Sequence, residues 1–105
     1  MGYQPWYTTQ TYPAWNIPLN VEGSSDNITG IATNQFSMVF RTSGGVDTTG
    51  TGTFGIVTTN PAVVTYTPST ADVAAAFSGS LIVKATFPSG GIAVYDPIAF
   101  VISAV

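Results

Sequence analysis

The ionisable inventory of this chain is short. Its acids are Glu22, Asp26, Asp47, Asp72 and Asp96, its bases are Arg41 and Lys84, and it has neither cysteine nor histidine. Thiolate nucleophiles, Cys/His zinc sites and histidine-based triads are therefore excluded. A glycosidase-type pair of carboxylates needs two acids about 5–10 Å apart in a cleft. Glu22 and Asp26 are the only acids close in sequence, in the turn EGSSDN at 22–27. Their oxygens would suit Ca²⁺, but the regular Asp/Asn spacing of a calcium loop is missing. The turn reads as solvated and without metal.

Asp72 lies in VVTYTPSTADVAAAFSG, at 63–79. Ser69 stands three residues before it, the spacing of a capping box with Asp in place of Glu. An acid in a first helical turn also complements the helix dipole. ADVAAAF is accordingly expected to form a short helical turn, with Gly79 permitting the exit into the next strand. Asp72 then shapes a corner. The segment SGGVDTTGTGTFG has the glycines of a phosphate cradle, but it lacks the strand–loop–helix setting and a following lysine. It is expected to be a mobile hairpin loop. Asn27-Ile28-Thr29 satisfies the N-glycosylation pattern. No catalytic residue and no cofactor is expected, and the chain is read as a non-enzyme.

The elements that must hold these residues are strands. Phe36, Met38 and Phe40 alternate with Gln35, Ser37, Val39 and Arg41; Leu81, Val83, Ala85 and Phe87 alternate with Ser80, Ile82, Lys84 and Thr86; and Ile98, Phe100, Ile102 and Ala104 alternate with Ala99, Val101, Ser103 and Val105. Period-two alternation marks half-buried strands. Weaker runs cover 15–21, 53–58, 62–66 and 91–95. Pro18 confines the first of these to a sheet edge, because proline cannot donate to a ladder. FPSGGI between two alternating runs signals a hairpin. About seven strands in 105 residues predict one all-β, immunoglobulin-like antiparallel sandwich over 14–105, preceded by an N-terminal arm over 1–13.

Composition bounds the partners. Only 7% of residues are charged, against about 25% in ordinary domains. Two cations cannot neutralise a run of phosphates, so no nucleic acid is expected, and polybasic membrane attachment fails likewise. MGYQPWYTTQ lacks the basic and apolar regions of a signal peptide, and no apolar run reaches the ~20 residues of a span. The chain is expected to be cytoplasmic when made. A surface so poor in ions suits a molecule packed against neighbours.

The order of pieces resembles the N-terminal immunoglobulin-like domain of bacteriophage baseplate upper proteins. AWNIPL is followed by DNITG, similar to that family's Asp-Leu-Thr-Gly turn. FSMVFR, then Val64 and Tyr66 before STADVAAAFSG, resemble its Tyr and Ala-Asp corner and closing Gly. LIVKATFPSGG and DPIAFVIS resemble its last strands. The likeness spans roughly 11–105. It departs from the family in ending with the sandwich and in carrying less charge. It implies a virion protein, assembled in the host cytoplasm, that docks on other phage proteins in the tail tip, baseplate or fibres. A capsid decoration protein is the alternative.

Tyr3, Trp6, Tyr7, Tyr12 and Trp15 fall within thirteen residues. Trp15 alternates with Ile17 and Leu19 and reads as core. Tyr3, Trp6, Tyr7 and Tyr12 are the candidate partner-binding residues, since large amphipathic rings anchor interfaces. They would pack on a neighbouring virion subunit, within a homo-oligomer or against another protein. A platform for host glycans, as in a carbohydrate-binding module, is the third reading.

Overall fold

In a computed structural model of the chain, residues 6–104 are described, and the alternating runs become strands. These are β1 (Trp6–Tyr7), β2 (Trp15–Pro18), β3 (Asn20–Val21), β4 (Ser24–Ser25), β5 (Phe36–Thr42) and β6 (Asp47–Thr49). Then come β7 (Thr53–Thr59), β8 (Ala62–Thr67), β9 (Phe77–Thr86), β10 (Ile92–Val94) and β11 (Ile98–Ser103). The seven expected runs all form strands, and four pieces of two or three residues add to them. The described residues are all-β apart from one 3-10 turn, Thr33–Gln35.

Six strands form one sheet in the order β1-β11-β9-β5-β6, with β10 also pairing β9. Three form a second sheet, β2-β8-β7, and β3 with β4 makes a small ribbon. The pairs are antiparallel except β1 on β11. Pairing sets side chains of one face opposite each other. Phe36, Met38 and Phe40 thus meet Ala85, Val83 and Leu81, and all six are buried. In the second sheet Trp15 pairs Tyr66 and Ile17 pairs Val64. The sheets meet through their rings: Trp15 lies 4.5 Å from Phe100 and 6.2 Å from Phe40, both of the larger sheet. β2 takes the edge that Pro18 demands. The 87–91 hairpin closes with Phe87 and Gly91, Gly90 at φ +93° making the left-handed step.

Four expectations are corrected. The run 15–21 breaks at Leu19, whose buried side chain and bond to the Ala62 carbonyl end β2. The helix in ADVAAAF does not form; 70–75 is a string of turns. Only Val73 there is buried, and so short a segment cannot recover the cost of helix nucleation without an apolar stripe. Gly79 lies inside β9 instead of ending a helix, and a Cβ there would strike the Arg41 carbonyl on β5. The loop 43–52 contains β6, which pairs β5 and carries Asp47 onto Arg41 at 2.7 Å.

The arm boundary is corrected as well. Trp6 pairs Ile102 and Tyr7 pairs Ser103, while Thr8 and Thr9 donate to the carbonyls of Ser103 and Val73. The segment from residue 6 is part of the larger sheet, because its indole finds a ready apolar site: Trp6 is 6% exposed and stands edge-on to Trp15 at 5.3 Å. Trp6→Ala is expected to cost about 3–5 kcal/mol, as for other buried aromatic truncations. Urea unfolding measures it, and an unchanged midpoint would put the ring on a free arm.

Candidate functional site

The 66–72 corner is built by one carboxylate. Asp72 accepts from the backbone N–H of Thr51 at 2.9 Å and of Ser69 at 3.1 Å, and from the Tyr66 hydroxyl. Ser69 Oγ in turn accepts from the Asp72 N–H at 3.2 Å. This is the reciprocal bonding of a capping box without the helix. Tyr66 Oη also accepts from the Gly52 N–H at 2.8 Å. Gly52 must be glycine, since a Cβ would meet the Tyr66 ring and the Thr67 carbonyl. Burial, and then the hydrogen bond to Asp72, hold the Tyr66 hydroxyl well above the usual tyrosine range. It stays a neutral donor at all ordinary pH.

The same device recurs at the opposite end of β8. Asp26 accepts from Tyr95 Oη and the Asn27 N–H, each at 2.8 Å. Asp96 accepts from the N–H groups of Glu22 and Gly23, at 3.0 and 2.9 Å. Burial first, then Asp26, raises the Tyr95 hydroxyl in the same way. Asp47 is held below the usual carboxylate range chiefly by its hydrogen bond to Arg41. Among the described residues no three potential metal ligands converge; the Asp26 carboxylate is spent on Tyr95 and the turn.

Beside Asp72 lies an open cleft of about 370 Å³, lined by Phe40, Thr48, Thr51, Ala74 and Phe77 among others. Its walls are methyl groups, rings and threonine hydroxyls. The one carboxylate on its rim already accepts its donors from the corner. The cleft has the lining to shelter a small apolar group.

Of the expected partner-binding residues, Tyr3 lies outside the described residues. Trp6 is corrected: it is core, and its indole N–H donates to the Gln10 carbonyl at 2.8 Å. Tyr7 and Tyr12 are exposed, at 47% and 84%. Trp6 and Tyr7 fall on opposite faces of the sheet because they are consecutive in a strand.

A surface that alternation had assigned to solvent is the larger finding. On the outward face of the six-stranded sheet, Val39 pairs Ile82, Val94 pairs Lys84, and Ile92 pairs Thr86. Val101 and Tyr7 continue this face on β11 and β1. Ile82 is only 3% exposed although it points away from the shared core, whereas Ile92, Val94 and Val101 are more than half exposed. Charge on this face is confined to Lys84 and the Arg41–Asp47 pair. The signal was available: Leu81-Ile82-Val83 is an unbroken apolar run, the pattern of a strand covered on both faces.

Two outcomes follow from the corner. Tyr66→Phe leaves Asp72 and the Gly52 N–H short of a partner and is expected to cost about 1–3 kcal/mol. Because the folded tyrosines titrate above the unfolded value of about 10, their contribution is complete below pH 10 and is lost as pH rises beyond it. Urea midpoints across the alkaline range should fall for the native chain and fall less for the Tyr66→Phe, Tyr95→Phe double variant.

No protein-family model matches the chain, and neither a curated protein nor a solved structure does.

Proposed function

We propose that this chain is a non-catalytic structural subunit of a tailed-phage virion, an immunoglobulin-like β-sandwich that works by docking. The observation that carries docking is the set of exposed apolar side chains, Ile92, Val94 and Val101, set among serines and threonines on the outward face of the six-stranded sheet. Large contiguous apolar patches mark interaction sites, and each Å² withdrawn from water is worth about 25 cal/mol. The baseplate upper protein resemblance supplies the setting: tail tip, baseplate or fibres, with other virion subunits and copies of this chain as partners. A capsid decoration role would use the same face. The glycan reading is weaker, since Trp6 is turned into the core and the exposed rings among the described residues are Tyr7 and Tyr12.

Association should be nearly insensitive to salt between about 0.05 and 0.5 M, because so few charges are available to screen. Light scattering of the purified chain tests this, with Val101→Glu and Ile92→Glu as comparisons. The native chain is expected to associate at both salts. The variants are expected to stay monomeric with unfolding free energies within about 0.5 kcal/mol of native. A native chain that is monodisperse and monomeric at high concentration would sink the proposal.

A further inference from the structure

Residues 6–10 form a hook that holds its own shape. The Trp6 indole N–H donates to the Gln10 carbonyl at 2.8 Å, the Gln10 N–H donates to the Tyr7 carbonyl at 3.1 Å, and the Tyr7 N–H donates to Gln10 Oε1 at 3.1 Å. Thr9 at φ +69° closes the bend. These bonds would be the same wherever the hook sat.

The contacts between hook and body are of a different kind. The hook lies on the outer edge of the larger sheet, in parallel register with β11. Thr8 donates to Ser103 at 2.9 Å, Thr9 donates to Val73 at 2.8 Å, and Trp6 stands against Trp15. Ser103 and Val73 are far from the hook in sequence, so the short link to β2 alone ties the hook to its own body. The link from hook to β2 is Thr11-Tyr12-Pro13-Ala14, which extended reaches about 14 Å. Among the described residues Tyr12 on that link is the most exposed of the large apolar side chains, at 84%. Crossing of two such links would cover it.

The docking face adds a reason for a second copy. Six strands of 2, 7, 3, 10, 3 and 6 residues, spaced about 4.8 Å and rising about 3.3 Å per residue, give a planar footprint on the order of 500 Å². A standard interface takes about 800 Å² from each partner. The hook is continuous with this face, since Tyr7 stands beside β11 next to Val101. We infer that in the assembled state the hook is exchanged: Trp6 of one copy fills the site beside Trp15 and Ile102 of a second copy, and reciprocally. Exchange re-forms every hook-to-body contact with the same geometry, which makes it a low-cost route to association. The inference rests on the docking reading above.

The chain has no cysteine, so a Tyr7→Cys, Ser103→Cys double variant carries the sole thiols. Neighbouring strand positions lie within disulfide reach. Oxidised in the associated state, it is expected to run as a covalent dimer on a non-reducing denaturing gel and as a monomer after reduction. Single variants control for chance collisions. A chain that associates by light scattering yet closes its disulfide within the monomer overturns exchange and leaves docking intact. A chain monomeric throughout overturns both. Should the pair not oxidise, labelled and unlabelled native chains refolded together decide the matter. An isotope-filtered cross-peak between Trp6 and Ile102 is expected, and its absence in the associated protein overturns exchange.

Discussion

Trp15 is where every part of this molecule meets. Its ring lies 4.5 Å from Phe100, 5.3 Å from Trp6, 5.5 Å from Tyr66 and 6.2 Å from Phe40. Those four come from the last strand, the N-terminal segment, the second sheet and the centre of the first. Removing one indole from water therefore holds two sheets and the hook in mutual register. The contacts are tilted and edge-on, the geometries that the ring quadrupoles favour. They offset a real cost, since among the described residues the buried Trp15 N–H has no hydrogen-bond partner.

Around this centre the ends of the two sheets are tied by carboxylates. Asp72 joins the nearby Tyr66 hydroxyl and Ser69 N–H to the N–H of the distant Thr51, Asp26 joins the distant Tyr95 hydroxyl to the neighbouring Asn27 N–H, and Asp96 pins the turn at Glu22 and Gly23. In a chain without disulfides these links do the cross-bracing, and bonds to a charged acceptor are stronger than neutral ones. Three of the five acids serve in such knots, and all three stay partly exposed. The low surface charge comes from composition, with only 7% of residues charged.

The apolar outer face follows the same economy. A central strand with Leu81, Ile82 and Val83 in succession presents hydrocarbon to both sides, and flanking Val39 and Val94 enlarge the patch. In a solitary domain such a face would promote association without specificity. On the docking reading proposed above it would be the means of attachment, with Lys84 and the Arg41–Asp47 pair to fix orientation.

The alternation of apolar and polar residues was enough to place the seven principal strands, the edge position of β2 and the 87–91 hairpin. Strand period, proline's missing donor and turn chemistry are local properties, written within a few residues of where they act. The Ser69–Asp72 pairing was legible for that reason too, although the helix expected from it was not made. What only the tertiary structure decided depended on distant partners. Trp6 became core because Trp15 and Ile102 offered it a site, and the segment 70–75 stayed in turns and bends with Val73 as its one buried side chain. Ile82, paired with Val39 on the neighbouring strand, was buried although it faces away from the shared core. Burial is a property of pairs of surfaces, and a chain carries only one surface of each pair at any single position in its sequence.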